Sequence, residues 1–302
     1  MITAGTYHRP VLLSESMGGL QVRPHGCYVD CTYGGGGHSR QLLSLLGPEG
    51  HLFGFDQDAD ARQNAVADER FTFVPANFRY LHQWMRYYQV EQLDGVMADL
   101  GLSSHHLDDG GRGFSFRTDA PLDMRMNRRA TLSAQQVVNE YGEEQLSDLF
   151  YLYGELKNAR RLAAAVVKQR QQAPIQTTGQ LQTVVSPLLP RERQKKDLAR
   201  VFQALRIEVN HEMEALAQML SAATRLLRPG GRLVVITYHS LEDRLVKNMM
   251  RAGNTDGRTS QDLYGRSSAP LRPIGKPVTP SDQEQQDNPR SRSAKLRVAE
   301  KI

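Results

Sequence analysis

The sequence predicts an α/β fold, a mostly parallel sheet with helices on both faces, interrupted by an inserted all-helical domain. Three observations carry this. Short apolar runs alternate with amphipathic stretches over the first hundred residues; the alternation stops between about residues 110 and 206, where only helical spacing is found; afterwards it resumes. The predicted organisation is a first α/β part at 1–110, a helical insert at 111–206 and a second α/β part at 207–302.

Gly26 to Thr32 (GCYVDCT) reads as the first strand and runs into a glycine turn, Gly34 to Gly37. Ser39 to Leu46 reads as a helix, stopped by Gly47 and Pro48. A second strand, His51 to Phe55, and a helix, Ala59 to Ala67, follow. Then come a third strand, Phe71 to Val74, and a helix from about Phe78 to Tyr88. Leu93 to Ala98 is a fourth strand, ending at Asp99 and Gly101. In the insert, Leu156, Ala159, Ala163, Val166 and Val167 make an apolar stripe at helical spacing, with Lys157, Arg161 and Lys168 on another face. Beyond it, an amphipathic helix from about Val209 to Leu227 leads through a Pro229-Gly230-Gly231 turn to a buried fifth strand, Arg232 to Tyr238. Leu241 to Arg251 is a helix, residues 253–290 read as a polar surface loop, and Ala294 to Ala299 as a final edge strand.

The bulk properties narrow the function class. With 39% hydrophobic and 24% charged residues, and no apolar run near the roughly 18–20 residues of a membrane helix, the 302-residue chain reads as a cytoplasmic protein without membrane contact. The N-terminal stretch Met1 to Leu20 lacks the basic-then-apolar layout of a signal peptide. Cys27 and Cys31 are four apart on a strand, about 13 Å between Cα atoms, too far for a disulfide. With no His pair nearby they make a poor zinc site, and no metal is expected. Residues 1–150 carry 12 Lys+Arg against 19 Asp+Glu, a balance of −7, whereas residues 151–302 carry 26 against 14, a balance of +12. A basic half points to a polyanionic partner.

The glycine turn after the first strand points to a cofactor. In an open parallel sheet, ligands sit beyond the carboxyl ends of the strands, and glycines there let the backbone approach them. Asp56 ends the second strand 22 residues after Gly34, about where a carboxylate accepts from ribose hydroxyls. A dinucleotide fingerprint needs G-x-G-x-x-G, but starting at Gly35 puts Arg40 in the third glycine position, and starting at Gly34 puts Ser39 there. A nucleoside cofactor without pyrophosphate is favoured, S-adenosylmethionine above a nicotinamide dinucleotide. Asp99, at the end of the fourth strand, reads as a group facing cofactor and substrate, or as a turn cap; Phe78 reads as an adenine platform or a core aromatic.

Six segments together carry a family resemblance: Asp30–Ser39 (DCTYGGGGHS), Asp99–Ser104 (DLGLSS), Arg112–Met126 (RGFSFRTDAPLDMRM), Phe202–Asn210 (FQALRIEVN), His239–Arg244 (HSLEDR) and Asn288–Val298 (NPRSRSAKLRV). The chain, from His8 (HRPVLLSE) onward, strongly resembles the bacterial small-subunit ribosomal RNA cytosine-N4 methyltransferases, the RsmH or MraW family. The resemblance implies a Rossmann-like class I methyltransferase fold with an inserted helical substrate-recognition domain. It implies S-adenosylmethionine as methyl donor, the small ribosomal subunit as partner, and a cytidine in the decoding region of 16S ribosomal RNA as acceptor. The family's cofactor contacts fall on Gly36, Gly37, His38, Asp56, Phe78, Asp99 and His106, with Gly34 and Gly35 shaping the turn. At His106 the chain departs from the family, which usually has Gln; imidazole keeps a hydrogen-bonding group there. The alternative within this fold is a non-catalytic RNA-binding or ribosome-assembly factor.

The cytosine N4 amine is a weak nucleophile, so alignment and acceptors for its hydrogens are the chemistry required. Asp99 is the candidate acceptor or cofactor-orienting group, standing where many DNA amino-methyltransferases have Asn/Asp-Pro-Pro-Tyr/Phe. His239 and Ser240, after the fifth strand, read as substrate-positioning groups or a helix cap, and Asp243 with Arg244 as a structural pair. Phe114 and Phe116 are candidates to hold a flipped base, or they pin their loop to the core. Arg125, Arg128, Arg129, Lys157, Arg160, Arg161, Lys195 and Lys196 are the candidate phosphate contacts. Oligomeric state, monomer or homodimer, is left open.

Overall fold

The computed structural model describes residues 10–102, 110–259 and 268–302. The chain forms two compact units, one of residues Leu102–Glu212 and one of the sequence on either side. The helical unit thus begins nine residues before the division at 110/111 drawn from the sequence and ends six residues after the one at 206/207.

The α/β unit is built on β1 (Cys27–Asp30), β2 (His51–Phe55), β3 (Phe71–Val74), β4 (Leu93–Asp99), β5 (Leu227–Thr237), β6 (Leu271–Pro273) and β7 (Lys295–Lys301). They form one sheet in the order β3-β2-β1-β4-β5-β7-β6. The first five strands are parallel, while β7 runs antiparallel to both β5 and β6. Alternation along the strands fills two cores. Val29, Phe53, Val96, Ala98, Leu233 and Val235 face one side, with Leu81, Met85, Met219, Leu220, Val246 and Met249 packed over them. Tyr28, Leu52, Met97, Val234 and Ile236 face the other, under Met17, Leu20, Leu42 and Leu43. Each such large apolar side chain contributes about 1.5–3 kcal/mol by leaving water.

The covering helices are α1 (Leu13–Leu20), α2 (Gly37–Leu45) and α3 (Leu81–Tyr87) in the first part of the chain. Helix α1 is new relative to the sequence reading, because Gly18-Gly19 interrupts the helical pattern. Its reason is packing: a Cβ on Gly19 would lie 2.8 Å from Val298 and 3.3 Å from Val234, so the glycine lets the helix lie on the sheet. The helix expected over 59–67 is only a 3-10 turn, Ala59–Asn64, and Phe78–Tyr80 is likewise a 3-10 turn leading into α3.

Among the described residues the helical unit contains α4 (Ala134–Glu140), α5 (Glu143–Leu152), α6 (Ala159–Gln172), α7 (Thr178–Val185) and α8 (Gln194–Asn210). Its core is its own, and includes Leu146, Phe150, Leu156, Leu162, Val166, Leu181, Val201 and Leu205. The stripe on α6 is buried at Ala159, Ala163 and Val166, and Lys157, Arg161 and Lys168 are exposed. Helix α8 ends at His211, whose left-handed backbone (φ +49°) splits the helix expected over 209–227; α9 (Glu212–Leu226) follows.

The C-terminal third corrects two expectations. After α10 (Ser240–Ala252), the polar stretch 253–290 contains strand β6 and a short helix, α11 (Asp282–Asp287), rather than loop alone. Buried Leu271 anchors β6, and Val278 bridges to Leu296. Consequently β7 is not an edge strand: Glu300 stands opposite Arg232 of β5 at 2.7 Å and Arg272 of β6 at 2.6 Å. No helix among the described residues is long and apolar enough to cross a membrane.

Candidate active site

The strand order reverses its direction of growth between β1 and β4, and there the ends of β1, β2 and β4 bring Asp30, Asp56 and Asp99 near one another. Asp30 is buried and accepts from Ser39 Oγ (2.6 Å) and the Thr32 N–H (3.0 Å), tying the strand end to α2. Thr32 Oγ1 in turn accepts the Asp99 N–H at 2.7 Å. The loop after β1 is thereby fixed to the end of β4.

The glycine turn is held from the other side. Asp56 accepts the Gly34 N–H on Oδ2 and the Asp58 N–H on Oδ1, both at 2.8 Å. Gly34 and Gly36 have left-handed backbones, φ +49° and +74°, and a Cβ on Gly36 would meet the Tyr33 hydroxyl at 2.6 Å. A Cβ on Gly37 would strike Pro10 at 2.3 Å. Gly35 differs: it is exposed, its φ is ordinary, and a Cβ there would meet nothing within 4 Å. Nothing among the described residues requires a glycine at that position. Burial pushes the Asp56 carboxyl up to about 6, against the two N–H donors, with Asp58 and Asp30 adding to the rise.

Asp99 is gripped more closely. Tyr238 donates its hydroxyl to Oδ1 at 2.8 Å, and His38 Nδ1 stands 3.8 Å from Oδ2. His38 is buried in the first turn of α2, with Nε2 3.0 Å from the Val11 carbonyl. Burial raises the Asp99 carboxyl to about 6; His38 and the Tyr238 hydroxyl oppose this, while Asp30 and Glu242 add to it. Phe78 is half-buried against the core.

With this geometry in hand, the comparisons are specific: residues 5–302 match the MraW methylase family. The chain belongs to that family. It is similar to a protein of Bacteroides fragilis named ribosomal RNA small subunit methyltransferase H, 60% identical over 98% of each chain. Proteins of the same name from Porphyromonas gingivalis (57% identity, 98% of this chain and 97% of the other) and Christiangramia forsetii (51%, 98% of each) are also similar.

The remaining sites expected of a MraW methylase fall into place unevenly. His106, with Ser103 and Ser104, lies outside the described residues. His239 is the N-cap of α10: its Nδ1 accepts the Glu242 N–H at 3.5 Å, and buried Glu242 accepts the N–H groups of Tyr238 (2.8 Å) and His239 (3.3 Å). Of the two roles open to His239, the structure displays the cap. Asp243 pairs with Arg297 at 2.7 Å, not with Arg244 as the sequence suggested; α10 turns Asp243 toward β7.

In the helical unit Phe114 is buried, with the Arg112 guanidinium over its ring at 5.5 Å, and Phe116 packs edge-on against Phe202 at 5.4 Å. Both pin the loop to the core in this state. Arg125 is committed too: Nε and Nη2 bind Asp123 (2.7 and 2.9 Å), and Nη1 binds the Ala130 carbonyl at 2.8 Å. Its guanidinium staples its own loop. Arg128, Arg129, Lys157, Arg160, Arg161, Lys195 and Lys196 are exposed.

The sequence reading missed Tyr238, Asp30 and Thr32. Asp30 carried a signal, a carboxylate closing a buried strand. Tyr238 read as the last residue of β5, and its partner lies 139 residues away.

Proposed function

We propose that the chain is an S-adenosylmethionine-dependent methyltransferase that methylates the N4 amine of a cytidine in the decoding region of 16S ribosomal RNA. One observation carries the reading, the 60% identity over 98% of both chains to a protein named for methylation of the small ribosomal subunit's RNA. The residues fit the cofactor. Gly35 has open surroundings that leave room for a ligand, and Asp56 stands at the strand end where ribose hydroxyls are held. Gly36, Gly37 and His38 open a helix whose first N–H groups suit a carboxylate, and Phe78 offers a ring beside an adenine. Asp30, Asp56 and Asp99 together favour a cation. When bound, S-adenosylmethionine supplies a methyl group on a positively charged sulfur.

The chain's own task is alignment. Asp99 is held at its backbone by Thr32 and at its carboxylate by Tyr238, so it presents its free lone pairs in a fixed direction. It accepts a hydrogen of the N4 amine and keeps the nitrogen in line with the methyl group. Exposed Lys157, Arg160, Arg161, Lys195 and Lys196 hold the RNA by its phosphates without reading its sequence. The reaction belongs in the cytoplasm, on the RNA of the small subunit.

The test is methyl transfer from labelled S-adenosylmethionine to small subunits of a strain lacking this enzyme. The account expects label in 16S ribosomal RNA, recovered after digestion as N4-methylcytidine. No incorporation, or a methyl group on another atom, sinks it.

A further inference from the structure

We infer that the imidazole of His38 takes up, through Asp99, the proton that the N4 amine loses during methyl transfer; this rests on the function proposed above. In this role His38 acts through Asp99, so it is a positioning residue for that proton.

A carbonyl oxygen only accepts, so the 3.0 Å contact to Val11 places the ring hydrogen on Nε2. In the neutral ring Nδ1 is then a bare lone pair, and it faces Asp99 Oδ2 at 3.8 Å. The two acceptors face each other at 3.8 Å, so a proton on either is attracted by the other, and its transfer requires the pair to close to hydrogen-bond distance. The contact is made by a buried ring fixed at its far side, which holds Nδ1 in this direction.

Among the described residues, the other groups facing Asp99 offer that proton no such place. Tyr238 already donates to Oδ1, and burial together with the Asp99 charge pushes its phenol far up, so it stays a donor. Asp30 is engaged by Ser39 and Thr32, and Glu242 by the N–H groups of Tyr238 and His239. The negative charges of Asp30 and Glu242 favour a proton arriving at Asp99, whose carboxyl is already raised to about 6 by burial.

The step balances as follows. The N4 lone pair forms the bond to the methyl carbon while the carbon–sulfur bond breaks and its electron pair stays on sulfur. The N4 proton passes to the Asp99 carboxylate and on to Nδ1 of His38. Asp99 is left ionised beside an imidazolium held between it and the Val11 carbonyl.

The test is His38→Gln, whose amide retains a donor for Val11 but has no Nδ1. Single-turnover methyl transfer to small subunits is followed from about pH 5 to 9, with cofactor affinity measured by calorimetry. At saturating S-adenosylmethionine the rate should fall roughly tenfold or more, whatever the change in affinity. The dependence of the rate on pH should change as well, because the variant has no ring nitrogen to exchange a proton with Asp99. His38→Asn, which also lacks the proton-accepting nitrogen, should behave alike and serves if the Gln variant does not fold. An unchanged rate and pH dependence overturn the inference. So does a rate loss that follows lost cofactor affinity, which would make His38 a wall of the cofactor site. An inactive wild-type chain refutes the proposed function and this inference with it; an active wild type with an insensitive His38→Gln refutes the inference alone.

Discussion

At the strand ends of the α/β unit, nearly every polar group is engaged by another: Asp56 holds the glycine turn, Asp30 holds Ser39, and Asp99 is held by Tyr238. The basic side chains of the helical unit divide differently. Arg125 is locked into its loop, while Lys157, Arg160 and Arg161 stand in solvent around α6. Chemistry needs groups fixed to a fraction of an ångström, whereas phosphate binding needs charge that is cheap to desolvate and free to follow the RNA. Substitutions in the first region should therefore change rate or cofactor affinity in large steps. Those in the second should change RNA affinity in small, salt-sensitive ones.

The largest effect is expected at Asp99. Asp99→Asn should lower single-turnover methyl transfer by about 10²–10⁴-fold, with cofactor affinity measured separately to confirm a loaded enzyme. Next comes Asp56→Ala, which frees the Gly34 N–H and removes the ribose acceptor; S-adenosylmethionine affinity should fall by roughly 10–100-fold in calorimetry. Gly36→Ala should cost about 1–2 kcal/mol of stability from its positive φ alone, and more from the contact with Tyr33, read as a lower melting temperature.

Stability against pH separates the two regions again. The Asp56 and Asp99 carboxyls are raised in the folded protein to about 6 from 3.8. The folded state thus binds protons more tightly, and the stability this contributes is full below about pH 4 and lost as pH rises through 6. At pH 8 Asp99→Asn should melt higher than wild type, by roughly 1–3 kcal/mol, and the gap should close toward pH 4. A melting temperature that does not depend on this carboxylate would show that the site stores no such cost.

Much of this comparison was legible in the sequence, and what was not has a physical reason. Strands β1 to β5, the glycine turn, Asp56 and Asp99 follow from local alternation and from the order of elements. The Tyr238–Asp99 bond and the Asp243–Arg297 pair join residues 139 and 54 positions apart, and no local pattern records them. Helix α1 was hidden by the Gly18-Gly19 pair, of which Gly19 serves packing on Val298, and β6 by a polar stretch in which Leu271 is a buried apolar anchor. Arg125 was read by residue type as a phosphate contact, and Phe114 as a base platform or a loop pin; type does not reveal that Asp123 and Arg112 engage them.

The smallest effects belong to the exposed basic face. Lys157→Ala, Arg160→Ala and Arg161→Ala should each weaken RNA binding only a few-fold, and each should reduce the salt slope by about 0.7 for single-stranded RNA. Arg125→Ala should instead lower the melting temperature of the helical unit, since it removes the staple to Asp123 and Ala130.

The division of labour is tested most directly by measuring single-turnover rate against RNA concentration for Asp99→Asn and for the combined Lys157/Arg160/Arg161→Ala variant. The account predicts that Asp99→Asn loses maximal rate at unchanged RNA affinity, while the combined variant loses affinity and recovers the wild-type rate at saturating RNA. A combined variant whose maximal rate collapses, or an Asp99→Asn enzyme that keeps its rate and loses RNA affinity, would contradict it.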